Sequence, residues 1–288
     1  NNFNKNQSRG SMIAFETDNP FGYGRVITKD NYVTSIVEEL HASKIQKKIK
    51  LCNSGIMICD SKLLFNYINK ISNKNIKKER YLPDIFQILH DIKKSFSHIL
   101  GSEEEMLGVN TIKDLIKIDQ IFQKRIKDKI IDGGVIIQQP DTVRISFDTK
   151  IKKGSIIEPF VTIKSGVSIQ ENVVIKSNSV VESCSINSNT SIGPSARIRP
   201  HSTIGQNVKI GNYVEIKNSK IGNNCSISHL SYIGDSELGK YINIGAGTIT
   251  CNYDGKKKNK TIIHDGVFVG SNCSLVAPIT IGKNSKIG

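Results

Sequence analysis

Arg199 and Lys217 stand eighteen residues apart in the second half of the sequence, each directly after an isoleucine of a regular apolar series. A guanidinium fork beside an ammonium suits a dianionic group, and the equal offset predicts that the two cations share one ligand. Three histidines offer a different chemistry. His201, His229 and His264 are the candidates for a three-histidine zinc site, but they fall three, two and one residues after the nearest preceding member of the series, so they should not converge. The series is interrupted between Ile244 and Ile263 by GAGTITCNYDGKKKNKT, where Asn252, Tyr253, Asp254 and Gly255 form a turn. An irregular loop on a rigid scaffold is a favoured place for a binding site. The nineteen residues from Ile244 to Ile263 exceed three regular steps by only one, so most of the segment is expected to form a coil. The basic run Lys256 to Lys260 within it reads as a solvated loop.

These side chains need an element that holds them at fixed offsets. From Ile151 aliphatic residues recur at every sixth place, through Ile157, Ile163, Ile169, Ile175 and Val181. After one step of five come Ile186, Ile192, Ile198, Ile204, Ile210 and Ile216, then Ile221, Ile227 and Ile233, then Leu238 and Ile244. The series resumes at Ile263, Val269, Leu275, Ile281 and Ile287. A helix face repeats every 3.6 residues and a half-buried strand every two, so neither accounts for it; a period of six is that of a parallel β-helix. Three six-residue sides make a triangular coil, each turning one aliphatic residue inward, and stacked coils build a core no single coil could bury. Gly, Asn and Ser cluster between these positions, where corners need tight or left-handed backbone. The series is still in phase at Gly288, which predicts that the solenoid continues past it.

The first half reads as mixed α/β. Its polar, featureless start, NNFNKNQSRGS, predicts disorder over the first eleven residues. Hydrophobic patterning predicts strands over 12–16 and 48–59 and helices over 61–72 and 84–96, the last opening at Asp84 after Pro83. From Thr111 to Ile131 the residues Ile112, Leu115, Ile116, Ile118, Phe122, Ile126 and Ile130 draw one stripe along a single long helix, ended by Gly133 and Gly134. The 288 residues carry a net charge of +14, but the lysines are scattered among Asn and Ile, which argues against a nucleic-acid stripe and accords with small phosphorylated substrates. No stretch approaches the length of a membrane span and no secretory pattern opens the chain, so a cytoplasmic protein is expected. The six cysteines, Cys52, Cys59, Cys184, Cys225, Cys251 and Cys273, form no CxxC pair and read as ordinary thiols.

The run HLSYIGDSELGKYINIGAGTITCNYDG, His229 to Gly255, resembles the acetyltransferase domain of the bifunctional N-acetylglucosamine-1-phosphate uridylyltransferase / glucosamine-1-phosphate acetyltransferase family. So do ARIRP (Ala196 to Pro200), GNYVEIKNSKIG (Gly211 to Gly222) and VFVGSNCSLVAPITIG (Val267 to Gly282). Upstream, NPFGYGRVI, SIVEE, NSGIMIC and GVN resemble, in order, the end of that family's nucleotidyltransferase domain. The resemblance implies an α/β nucleotidyltransferase (Rossmann-like) remnant over 1–112, a linker helix over 113–133 and a left-handed parallel β-helix of hexapeptide repeats over 134–288. It implies acetyl transfer from acetyl-CoA to glucosamine-1-phosphate and then uridylyl transfer from UTP, supplying precursors of peptidoglycan and lipopolysaccharide. His229 would be the general base, since imidazole titrates near the operating pH and the attacking amine must lose a proton. Arg199 and Lys217 would hold the sugar phosphate, Tyr232 and Asn243 the sugar, and Asn252 and Tyr253 the substrate or acetyl-CoA, with Ala246 and Ser271 also at acetyl-CoA. Gly24, Glu38, Asn53 and Asn110 would bind the UDP-sugar, Asn110 also ligating Mg2+. The family forms homotrimers of parallel prisms with acetyl-transfer sites between subunits. Its Gly-rich phosphate-cradling segment and an acidic magnesium ligand would precede residue 1, and its last acetyl-CoA contacts would follow Gly288. The expectation is therefore an internal fragment in which uridylyl transfer is lost.

Three other readings compete. A carbonic-anhydrase-like zinc enzyme would need the three histidines to converge. A non-catalytic or ice-binding solenoid would need a flat, Thr-rich face, and this chain breaks its regularity at the motif. Another hexapeptide acyltransferase would keep the same coil with a different acceptor.

Overall fold

The computed structural model describes residues 9–73, 78–94 and 96–288, and the chain divides into two compact units at Asp119 and Gln120. In the first unit, strands β1 (Gly10–Glu16), β2 (Arg25–Lys29), β3 (Tyr32–Val37), β4 (Leu51–Cys59) and β5 (Phe96–Leu100) close a small barrel in the order β1, β4, β2, β3, β5. Only β1 and β5 pair in parallel; the other neighbours are antiparallel. This differs from the Rossmann-like arrangement expected. Parallel pairing needs a crossover of a dozen residues or more, and two of the four connections, between β1 and β2 and between β2 and β3, are too short to make one. The tightest is Asp30 and Asn31, whose φ values of 50° and 64° make the left-handed two-residue turn that matches strand twist.

Several boundaries expected from the sequence move. Gly10 and Ser11 already belong to β1 and are buried between β4 and β5, so the polar start is ordered from there; residues 1–8 lie outside the described residues. The helix Asp84–Asp91 does open after Pro83, and it ends early because the chain turns at Lys93 (φ 58°) to enter β5. Its Ile85, Phe86 and Leu89 join Met12, Val26, Val33 and Phe96 in one core. The helix Ile112–Asp132 crosses the boundary between the units and stops at Gly134 (φ 85°). Its apolar stripe is not buried along its length: Ile126 and Ile130 pack on the core of the second unit, while Ile112, Leu115, Ile116 and Phe122 are exposed.

The second unit is the parallel β-helix. Sheet I has nine strands beginning with Ile136–Ile137, sheet II eight beginning with Arg144–Ile145, and sheet III eight beginning with Lys150–Ile151. Register holds the predicted ladder: Ile163 pairs with Val181, Val181 with Ile198 and Ile198 with Ile216 in sheet II, all essentially inaccessible to water. Cys184, Cys225 and Cys273 each sit two residues before a ladder position and fill the small inward spaces as free thiols. Burial pushes the Cys184 thiol up to about 12.

The interrupted segment differs from expectation. Leu238 pairs directly with Ile263, twenty-five residues on, where other coils take seventeen or eighteen. Tyr232 pairs with Ile249 and Thr250 with Leu275, so Thr250 occupies the inward place above Ile233. The segment therefore supplies one ladder position, and the chain beyond Cys251 loops out before returning at Thr261. A polar residue is tolerated inside because Thr250 Oγ1 accepts from the Gly234 N–H at 2.8 Å and reaches the Gly234 carbonyl at 3.2 Å.

Candidate functional site

Ladder register converts offsets into columns. In sheet I, Ile210, Ile227, Ile244 and Val269 stack, so Asn212, His229, Ala246 and Ser271, each two residues on, follow one another up the corner between sheets I and II. Backbone bonds join them: Leu230 N–H donates to the Asn212 carbonyl at 3.0 Å, and Asn272 N–H to the Ala246 carbonyl at 2.7 Å. The coils approach so closely here that a Cβ on Gly211 would run into the Ser228 carbonyl, and one on Gly245 into Gly270. His229 is exposed at the end of its strand, and its Nδ1 lies 2.9 Å from Asn212 Oδ1. Asn243 points outward on sheet I, one residue before Ile244.

A second column climbs the corner between sheets II and III. Arg199 and Lys217 follow the stacked Ile198 and Ile216, as their offset predicts, and each is paired. Arg199 Nη1 meets Glu215 Oε1 at 2.7 Å, and Lys217 Nζ meets Asp235 Oδ2 at 3.5 Å. Asp235 is the hub. Asn218 Nδ2 donates to its Oδ1 at 2.6 Å, and Asn252 Nδ2 donates to its Oδ2 while lying 3.4 Å from the Tyr232 hydroxyl. Burial alone would raise the Asp235 carboxyl, but hydrogen bonds from Asn218 and Asn252 and the charge of Lys217 outweigh it and hold the group below its usual range.

Asp235, Asn218 and Glu215 were not singled out from the sequence. Asp235 and Asn218 share an offset with Asn252, two residues after a ladder position, and that shared offset is the signal that would have found them. The basic run is not simply solvated either. Lys258 lies against Lys217, and that contact pulls the Lys258 ammonium below the usual lysine range. Lys260 Nζ meets Glu237 Oε1 at 2.6 Å. Lys258, Lys260 and Glu237 line a cleft of about 550 Å³ with His201, Lys220 and Asn259. Tyr253 is exposed at the loop tip, bridged to Lys258. The three histidines follow three different sheets, and among the described residues no group of three His, Cys, Asp or Glu is placed to hold a metal.

In the first unit Gly24, Glu38 and Asn53 come together. Asn53 N–H donates to the Gly24 carbonyl at 2.8 Å, and a Cβ on Gly24 would lie 3.2 Å from Glu38 Oε1. Burial, with Asp84 nearby, raises the Glu38 carboxyl. Asn110 instead lines a cleft of about 360 Å³ with Gly22, Tyr23 and Glu103. Its amide oxygen is a hard donor, but the neighbouring carboxylates are already engaged. Asp114 accepts from Asn110 N–H at 3.1 Å and Thr111 N–H at 2.8 Å in a capping box, and Glu103 accepts from the Thr17 hydroxyl at 2.8 Å. The described residues around Asn110 do not make up a magnesium site.

The stacked six-residue sides define a hexapeptide-repeat solenoid, and two families agree: residues 148–183 match "Bacterial transferase hexapeptide (six repeats)" and residues 180–253 match "GMPPB C-terminal domain". Over nearly its whole length the chain is also similar to curated proteins called "Bifunctional protein GlmU". It is 43% identical to that of Bartonella bacilliformis over 96% of this chain and 62% of the relative, 46% to that of Nitrobacter hamburgensis over 93% and 59%, and 38% to that of Agrobacterium fabrum over 96% and 61%. The similarity runs over nearly all of this chain, which spans about three fifths of the length of these relatives. A solved UDP-N-acetylglucosamine acyltransferase covers 48% of this chain and 65% of its own at 20% identity and a TM-score of 0.35, too slight a likeness to bear on function.

Proposed function

We propose that the β-helix carries an acetyltransferase site that moves the acetyl group of acetyl-CoA to the amine of glucosamine-1-phosphate. The observation that carries the reading is the register: it stacks His229, Ala246 and Ser271 along one corner and Arg199 with Lys217 at the next, where Asn252 stands one place further from the ladder, the two groups flanking sheet II. In the proposed chemistry the sugar amine forms a bond to the thioester carbonyl carbon, the carbon–sulfur bond breaks, and His229 takes the amine proton and passes it to the leaving thiolate. A positioned base of this kind contributes roughly 10² to 10⁴ in rate. Arg199 and Lys217 bind the phosphate dianion in place of Glu215 and Asp235, with Lys258 adding a third positive charge. Tyr232, Asn243 and Asn252 orient the sugar, while Tyr253 and the corner at Ala246 and Ser271 receive acetyl-CoA. A homotrimer of parallel prisms, which would bring one subunit's corner against the next subunit's face, is part of the same reading.

The first unit is proposed to be the part of a nucleotidyltransferase domain that holds the UDP-sugar, through Gly24, Glu38 and Asn53. Uridylyl transfer is not part of this reading of the unit, since among the described residues those around Asn110 lack a magnesium donor set. The test is release of CoA thiol from acetyl-CoA and glucosamine-1-phosphate by the full-length protein. His229→Ala should abolish it, and unchanged turnover would refute the role given to His229.

A further inference from the structure

The corner that carries His229 is built around one further polar side chain. Asn212 stands directly beneath His229 in register, its Oδ1 2.9 Å from His229 Nδ1. Gly211 permits that approach, since any Cβ there would strike the Ser228 carbonyl. Both residues precede a bulky residue held in the left-handed region, Tyr213 at φ 54° and Leu230 at φ 49°. Non-glycine residues hold such backbone only where the surroundings enforce it. The Leu230 N–H to Asn212 carbonyl bond ties the two turns together.

We propose that Asn212 is a positioning residue for His229: its side-chain oxygen takes the Nδ1 hydrogen, fixes the ring, and leaves the Nε2 lone pair as the base. The inference rests on the reading of His229 as that base. A neutral imidazole carries one hydrogen on either nitrogen, and the bond made by one nitrogen decides which form is present. A carboxylate would fix the same form but would also favour the imidazolium, which cannot accept a proton. An amide orients without adding charge. The titratable groups on the packed elements are Lys209 at the start of the strand below, Tyr213 in the turn after it, and Tyr232, Glu215 and Lys217 on sheet II. The strand above, Asn243–Ile244, carries none.

The test uses the full-length protein with histidine-selective ¹⁵N labelling, this chain holding six histidines, together with steady-state kinetics of acetyl transfer. Neutral His229 should be found with its hydrogen on Nδ1, and Asn212→Ala should spread it over both nitrogens. The same variant should lose about 10- to 100-fold in kcat with little change in KM for the sugar phosphate. Asn212→Asp keeps the acceptor, so it should recover most of kcat at alkaline pH while moving the acidic limb of the kcat/KM profile upward. Hydrogen on Nε2 in the parent, or parental kcat and pH profile in Asn212→Ala, overturns the inference. If His229→Ala retains turnover, the base reading and this inference fall together. If His229→Ala is dead and Asn212→Ala is not, only this inference falls.

Discussion

Replacing Asp235 by alanine removes one largely buried carboxylate, 13% exposed, from among three side chains of the two neighbouring coils. Lys217, itself only 18% exposed, loses its counterion while Lys258 still presses against it, and the Asn218 and Asn252 amides lose their acceptor. A hydrogen bond to a charged group contributes about 1.5–3 kcal/mol, and removing one partner of a buried pair costs about 3–5 kcal/mol; the groups share one site, so the values do not add. A loss of about 3 kcal/mol in docking the looped segment is expected, which is roughly a 100-fold rise in its open population. Hydrogen exchange reads this directly. The Asn259 and Thr261 amides, bonded to the Asn252 and Asp235 carbonyls, should exchange about 100-fold faster, while the coils around Ile163 and Val181 stay unchanged. The pH dependence has a definite sign. A carboxyl held below its unfolded value stabilises above that value and ceases to do so as pH falls through its folded value. Loop protection should therefore stay level from neutral pH down to about 5 and weaken only below about 4. Unaltered loop exchange in Asp235→Ala would refute the role of Asp235 as hub.

Two further substitutions separate the units. Glu39→Ala should cost the barrel about 3–5 kcal/mol, because Arg25, 2% exposed at its side chain, keeps its charge without the Glu39 carboxylate 2.6 Å away. Faster exchange of β2 and β4 amides with no change in the β-helix is the expected result. Thr250→Val leaves the buried Gly234 N–H without its acceptor, a cost of about 1–3 kcal/mol that the added methyl only partly offsets. A lower urea midpoint for the β-helix checks it, and a higher one would show that the hydroxyl is dispensable.

The β-helix was legible in the sequence because one inward residue per side, repeated over many coils, is a signal that local propensity cannot blur. Ile163, Ile198, Ile216 and Ile227 needed no knowledge of their partners to be placed. The barrel was less legible for the opposite reason. Its strands are defined by pairing with distant ones, as Ser11 is by Ile58 and Ser97, and nothing in the polar run around Gly10 and Ser11 announces a buried strand. β2 and β3 went unread although Asp30 and Asn31 are turn formers, because the flanking residues do not alternate cleanly. The long helix was placed correctly at its ends, yet periodicity could not say which part of its stripe would be covered.

The candidate site shows where counting succeeds and where it stops. Equal offset from the ladder predicted that Arg199 and Lys217 would stack, and the same rule applied two residues after the ladder gathers Asn218 with Asp235, and Asn212 with His229 and Ala246. Counting starts late, at Ile151 although Ile137 and Ile145 already face inward, and within the series it fails where the inward residue stops being aliphatic. Thr250 matches valine in shape but carries a hydroxyl, so a search for apolar residues passes over it and assigns the following loop to coils it does not form. That one hidden position decides the placement of Asn252. Once Thr250 is taken as a ladder residue, Asn252 falls in the column of Asn218 and Asp235, where its amide meets the carboxylate. The loop is therefore anchored by the register of the coil that it interrupts, and the side chains proposed to bind substrate inherit their positions from the hydrophobic core behind them.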